Sequence, residues 1–430
     1  MRYWDEKIEK MRPEELVKLQ DKRLRETIKK TYNIPFYRQR FKEAGILPDD
    51  IQSCKDLTLL ACTKKQDLRE GYPFGFFAVP KKEIVRIHTT SGTTGKPTVV
   101  GYTKGDIEKW SDLIARNLTM VGLTDEDIFS NMVNYGMFTG GLGFHYGAEK
   151  AGLTTIPSAT GNTKRQIEMI HDFGVTAIHC TPSYALHLAE VAQDMNISLD
   201  SLKTGIFGAE PWSDQMRVEL EEKLGVTAFD SYGMSELYGP GVAFECPEHS
   251  GLHIWHDSFF VEILDPVTGE QLGPGERGEL VITPLTKEAM PLLRYRTGDI
   301  TMFLDDDCPC GRGQKIARFS GRSDDMLVIR GINVFPSQIE HVLLSIPEVA
   351  GSYMVYVDRV NHMDEMTIEV EISRQYFSGE LTDLQEIKTR IIRSLHDVLE
   401  LRTNVRLVEP GSLPRFEGKA KRVIDRRGGM

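Results

Sequence analysis

At 430 residues the chain is longer than one hydrophobic core usually grows, so a large and a small domain are expected. A 40% share of hydrophobic residues with mixed charge marks a globular protein, and a net charge of −11 excludes any general attraction for nucleic acid. The charged opening MRYWDEKIEKMRPEEL excludes a signal peptide and no apolar run reaches membrane-spanning length, so we expect a cytoplasmic protein with no membrane partner, its six cysteines reduced or metal-bound.

Residues 1 to about 80 read as mostly helical, with long charged stretches and a turn at Pro73. After Ile84, Val85 and Ile87 comes TTSGTTGKPTVV, residues 89–100, where glycines and hydroxyls surround Lys96. Glycine lets the backbone approach an anion, consecutive N–H groups form a nest, and the ammonium adds charge. The nucleoside-triphosphate loop G-x-x-x-x-G-K-[ST] is not met, because Thr90 stands at the first glycine and Pro97 follows Lys96. Phosphate is still the anion such a loop suits.

Ile107, Trp110, Ile114, Leu118 and Val121 then share one face of a helix over 106–121. A helix near 164–173, a strand at 175–180, a helix from Tyr184, a strand ending in GIFGAE at 205–210, another helix and VTAFDSYGMSE from 226 follow. This alternation predicts a largely parallel sheet covered on both faces. Ligands of such sheets sit beyond the carboxyl ends of the strands, where TTSGTTGKP, FGAEP and DSYGMSE all fall. From about 251 the texture turns β-rich, with hairpin signals in DPVTGE and PGERGE. Beyond GRSDD at 321–325 a small α+β unit begins. It has a strand MLVIRG, a helix from Pro336 with Ile339, Val342, Leu343 and Ile346 inward, strands at 351–357 and 366–372, a helix from about 382, and NVRLV at 404–408.

In order, TSGTTGKPTVVGYT, YGMFTGGLGFHYGAEKAG, FGAEPWS, DSYGMSE, LRYRTGD, GRSDDMLVIRGINVFPSQIE and PRFEGKAKRVID resemble the adenylate-forming family of acyl-CoA synthetases, luciferases and peptide-synthetase adenylation domains. The resemblance is strongest to the branch that joins arylacetic acids such as phenylacetate to coenzyme A. It implies an α/β fold with a large N-terminal domain over 1–324, containing a β-rich, zinc-bearing part at about 240–320, and a mobile α+β C-terminal domain over 325–430. The implied reaction charges a small-molecule acid with AMP from ATP and Mg²⁺, releases pyrophosphate, and passes the acyl group to coenzyme A.

The same resemblance implies the site. Lys419 bridges carboxylate and phosphate, and Glu236 holds Mg²⁺. Ser91, Gly92, Thr93, Thr94, Gly95 and Lys96 take the β- and γ-phosphates; Gly208, Ala209, Glu210 and Pro211 line the adenine and acyl site. Asp230, Ser231, Tyr232, Gly233, Met234 and Ser235 border the nucleotide, with Tyr232 near adenine, Asp299 on the ribose hydroxyls and Arg322 a second contact. Tyr135, Phe138 and Gly141 beside Ala209 suit a phenyl ring on a short carboxylate arm. Asp324 is the hinge about which the small domain swings, and a homodimer is expected. Two other functions share much of this pattern: an adenylyl-transferring synthetase with a deazaflavin or other non-CoA acceptor, and a zinc-stabilised binding protein without turnover.

Cys308-Pro309-Cys310-Gly311 resembles a zinc knuckle, and ECPEHSGLH adds Cys246 with His249 or His253. Three thiolates and one imidazole make a structural Zn²⁺ set, with no position left for chemistry. His253 matches the family pattern better; spacing leaves both histidines open.

Overall fold

Short buried runs, each followed by an amphipathic helix, build the centre of the large domain. The computed structural model describes residues 2–90, 97–322, 327–330, 332–360, 363–376, 381–414 and 422–427. Thr154–Ile156, Ile128–Asn131, Ala177–Cys180, Thr204–Gly208 and Thr227–Met234 lie side by side in that order, all parallel. Ala177–Cys180 and Thr204–Gly208 are buried at every position, as strands covered on both faces must be. Antiparallel Gly239–Glu245, Leu252–Ile254, Lys315–Ile316 and Phe303–Leu304 then extend the sheet to nine strands.

The helix expected over 106–121 runs Lys104–Met120, because Thr103 caps it reciprocally: its hydroxyl accepts from the Asp106 N–H and the Asp106 carboxylate accepts from the Thr103 N–H. The helix Thr139–Lys150 packs directly on it. A side chain on Gly143 would collide with Trp110, and one on Gly147 with Ile114. Glycines here let two helix backbones approach closely, which fixes where the helix at the edge of the site begins.

A second, antiparallel sheet of Phe259–Leu264, Gly278–Pro284, Tyr295–Thr301 and Gly321–Arg322 flanks the first. One buried carboxylate ties its approach to the helices: Asp257 takes Arg116 Nη1 at 2.7 Å, Arg23 Nη1 at 2.9 Å and Lys109 Nζ at 3.3 Å. Burial resists its ionisation, but the three cations outweigh that and hold its pKa well below the carboxylate range.

The C-terminal unit has its own sheet, in the order Asn404–Val408, Met363–Ile372, Val349–Val360, Val423–Asp425. Helices Pro336–Leu344 and Leu381–Leu399 complete it, with Val355, Ile368, Val370, Ile391 and Leu395 in a separate buried cluster. Leu344 instead joins the buried cluster of the large domain that includes Met132, Phe207 and Trp212. Among the described residues, no helix is long and apolar enough to cross a membrane.

Candidate active site

The carboxyl ends of two neighbouring parallel strands carry FGAEP and DSYGMSE, whereas Arg86–Thr89, expected to bring TTSGTTGKP to the same sheet, pairs antiparallel with Val99–Tyr102 in a separate two-stranded sheet. Gly208 pairs with Ser231, and a Cβ on Gly208 would strike the Ser231 carbonyl oxygen, so only glycine lets these two strand ends meet. Ala209 follows with φ 68°, a left-handed conformation that a non-glycine residue adopts at a cost. That turn throws Glu210 back to the start of the preceding helix, Pro182–Met195, where its Oε1 accepts from the Ser183 N–H at 2.8 Å while its Oε2 is buried without a hydrogen-bond partner. Pro211 follows, and Asp230 and Ser231 lie on the neighbouring strand.

Tyr232 sits at the seam of the two sheets. Its hydroxyl donates to Asp299 Oδ2 at 2.6 Å and its ring lies against Phe319, centroids 4.1 Å apart. Asp299 pairs in register with Arg322, whose Nη1 donates to Asp299 Oδ1 at 2.5 Å. Arg322 Nη2 also donates to the Thr297 carbonyl at 3.1 Å. Three residues from three strands, the tyrosine and the aspartate 67 positions apart in sequence, thus meet at one point. Burial, then the neighbouring Asp299 carboxylate, raises the Tyr232 phenol well above its usual value, so it stays a proton donor.

Asp230 stands apart from this group. Its carboxylate takes Arg318 Nε at 3.1 Å, and the same guanidinium reaches Asp214 and the Trp212 carbonyl. Burial raises its pKa although Arg318 opposes. Asp230 therefore braces the strand from the side.

The chain turns back through Ser235–Leu237, and that reversal buries Glu236 to 2% exposure. Gly233 allows it, since a side chain there would meet the Gly239 carbonyl, and Ser235 Oγ lies 3.1 Å from Thr139 Oγ1. Met234 precedes the turn, half-buried. Glu236 Oε1 has no hydrogen-bond partner; Lys65 Nζ stands 3.9 Å away. A buried carboxylate oxygen left unsatisfied is the donor a hard divalent cation requires.

Beside this lies the region expected to hold the acid. Asn131 Nδ2 donates to the Tyr135 hydroxyl at 2.9 Å and to the Gly141 carbonyl at 2.7 Å, and its Oδ1 meets His179 Nδ1 at 2.8 Å. Burial lowers the His179 pKa to about 3, so that ring is neutral. Phe138 is 41% exposed and covers Gly140. Ser91, Gly92, Thr93, Thr94, Gly95, Lys96, Asp324 and Lys419 lie outside the described residues.

The cysteine cluster is close by in the fold. Cys246, His253, Cys308 and Cys310 are all buried, and their ligand atoms lie within 4.8 Å of one another. Cys246 Sγ is 3.6 Å from Cys308 Sγ, and Cys310 Sγ is 3.2 Å from His253 Nε2. His253 Nδ1 meets the Gly313 carbonyl at 2.9 Å, which fixes Nδ1 as the protonated nitrogen and turns Nε2 toward the thiols. His249 lies elsewhere, stacked on Phe229 and hydrogen-bonded to Arg217. The strand Leu252–Ile254, paired with both Gly239–Glu245 and Lys315–Ile316, decides between the two histidines.

Reasoning from sequence missed Lys65, Asn131 and His179. Asn131 had a usable signal, a polar residue closing a buried parallel strand; Lys65 had none, since only the fold brings it to Glu236.

Two family profiles match the chain: the AMP-binding enzyme over residues 42–284, and the AMP-binding enzyme C-terminal domain over 331–427. The phenylacetate-coenzyme A ligase of Escherichia coli (strain K12) is 46% identical over 98% of this chain and 97% of its own length, and that of Thermus thermophilus 45% identical over 98% of each. Among solved structures, a 2-hydroxyisobutyryl-CoA ligase in the postadenylation state with 2-HIB-AMP is 30% identical, with a TM-score of 0.93 over 99% of this chain and 93% of that one. The same ligase with 2-HIB-AMP and CoA in the thioesterification state gives a TM-score of 0.74 over 100% of this chain and 93% of that one.

Proposed function

Because this chain belongs to the AMP-binding enzyme family and is an ATP-dependent, AMP-forming acid–coenzyme A ligase, we propose that phenylacetate is its acid and that the seam between its two sheets holds the nucleotide. The observation that carries this reading is the meeting of Tyr232, Asp299 and Arg322 beside the buried, unsatisfied oxygen of Glu236. Asp299 offers its carboxylate to the ribose hydroxyls, held ready by Arg322 and Tyr232. Gly208 and Ala209 leave the room a flat base needs.

The first half-reaction forms a bond between a carboxylate oxygen of the acid and the α-phosphorus of ATP and breaks the bond to the β-phosphate, which leaves as pyrophosphate. Glu236 would hold Mg²⁺, which supplies charge neutralisation for the leaving phosphates. In the second half-reaction the coenzyme A sulfur bonds to the acyl carbon, the carbon–oxygen bond to AMP breaks, and the thiol proton goes to solvent. The two steps place different groups around one carbonyl. The unequal similarity to one ligase in two states supports a swing of the small domain between them, at Asp324.

Tyr135, Phe138 and Gly141 would enclose the aryl ring, with neutral His179 and Asn131 fixing Tyr135. Cys246, His253, Cys308 and Cys310 would hold a structural Zn²⁺, a reading supported by their shared burial and by the His253 orientation. The reading includes a cytoplasmic location, where ATP and coenzyme A are supplied, and a homodimer through the N-terminal helices, where Val17 and Leu47 are exposed.

A thioester screen over phenylacetate, benzoate, longer arylalkanoates and short aliphatic acids tests the substrate. Phenylacetate gives the highest kcat/KM, by about 10-fold or more over acids one methylene shorter or longer. A short aliphatic acid in first place overturns the aryl pocket. Asp299→Asn tests the nucleotide seam: it keeps the shape but loses charge against Arg322, and raises KM for ATP about 10- to 100-fold, the equivalent of one charge-assisted hydrogen bond. An unchanged KM for ATP removes Asp299 from the nucleotide site.

A further inference from the structure

Lys287 is fully buried, and its ammonium has no hydrogen-bond partner. It lies over two rings instead, 3.9 Å from the centroid of Tyr102 and 4.5 Å from that of Tyr238. Its loop is set with care. Asp106 accepts from the Glu288 N–H at 2.8 Å and the Ala289 N–H at 2.9 Å, and the Thr103 hydroxyl donates to Glu288 Oε2 at 2.6 Å. Burial lowers the Lys287 pKa to about 8, with Asp106 opposing.

An unpaired buried charge destabilises a fold, and two aromatic faces offset only part of that. A methionine would fill the same space more cheaply. The charge therefore finds its use in what the two rings hold. The Tyr102 hydroxyl donates to the Tyr238 carbonyl at 2.7 Å and approaches the Ser235 carbonyl at 3.3 Å. Tyr238 itself sits at φ 144°, a strained conformation that needs external support. Between those two carbonyls lies Glu236.

We propose that Lys287 is a positioning residue for the adenylation half-reaction: through the faces of Tyr102 and Tyr238 it fixes the Ser235–Tyr238 reversal that presents Glu236. The inference rests on the reading of Glu236 as the Mg²⁺-bearing carboxylate. Lys287 touches neither substrate nor metal.

The test is Lys287→Met, with Lys287→Arg as the conservative variant, measured in three ways. Thermal midpoint stays level or rises in Lys287→Met, because an unpaired charge is removed. Phenylacetate-dependent pyrophosphate exchange falls about 10-fold or more in kcat/KM for MgATP, and Lys287→Arg recovers part of it. Attack of coenzyme A on preformed phenylacetyl-AMP stays within about twofold of the wild type. A lowered midpoint with parallel loss in both half-reactions makes Lys287 merely structural and overturns the proposal; so does unchanged exchange. If Lys287→Met does not fold, Tyr102→Phe cuts the hydroxyl link and keeps the ring: selective loss of exchange supports the proposal, and no loss or parallel loss sinks it. Wild-type protein that exchanges pyrophosphate with none of the acids refutes the ligase assignment itself, an outcome distinct from failure of the Lys287 variants alone.

Discussion

Lys419→Ala abolishes phenylacetate-dependent pyrophosphate exchange, by about 10²–10³-fold, and leaves coenzyme A attack on preformed acyl-AMP nearly untouched. The first half-reaction drives an anion onto a polyanion, so it depends on positive charge placed where negative charge builds up. Among the described residues, three arginines are already committed: Arg322 to Asp299, Arg318 to Asp230 and Asp214, Arg422 to Glu340. None can replace a lost ammonium without abandoning a buried carboxylate. The second half-reaction brings a neutral acyl carbonyl and a thiol, and has no such demand. A Lys419 variant that loses both half-reactions equally argues against a two-state cycle and makes Lys419 a general binding residue.

Cys308→Ser removes about one zinc per chain and destabilises the protein by about 3–5 kcal/mol, the cost of breaking a buried, mutually dependent charge cluster. Three sulfurs and an imidazole, all buried, lie within 4.8 Å of one another, a set that suits a tetrahedral cation. Without one, the thiols must share protons. The hydrogen bond between Cys246 and Cys310 pushes the first thiol up and the second down, and burial adds to the difficulty of charging Cys246. The surroundings are anchored on the same loop: the Tyr3 hydroxyl donates to the Cys310 carbonyl at 2.7 Å, and Arg312 pairs with Glu9 in a fully buried contact at 2.8 Å. Loss of the knuckle thus also frees the N-terminal segment. Metal analysis of protein purified without chelator, with denaturation of both forms, checks this. Wild-type protein without zinc, unfolding at the same denaturant concentration as Cys308→Ser, refutes the structural site. The expected effect on turnover is indirect, since Cys246 directly follows the strand that pairs with the carrier of Tyr232.

The sequence by itself determined whatever depends on neighbours along the chain. Helix starts follow from local caps, as at Thr103 with Asp106, and the alternation of buried strands with helices places FGAEP and DSYGMSE at strand ends. Those signals are short-range, so a linear reading captures them. The nine-stranded sheet was only partly legible, because antiparallel additions such as Gly239–Glu245 are chosen by pairing partners distant in sequence.

Tertiary structure alone decided which distant groups face each other. It chose His253 over His249, since strand register points one imidazole into the thiols and leaves the other on Phe229. It joined Asp299 to Tyr232 across two sheets, and gave Asp230 to Arg318. It also brought Lys65 to Glu236 and enclosed Lys287 between two tyrosines, neither of which any motif foretells. The physical reason is the same each time: a side chain's chemistry belongs to its residue type, but its charge state, partners and reach are set by burial and by contacts that close only when the chain has folded.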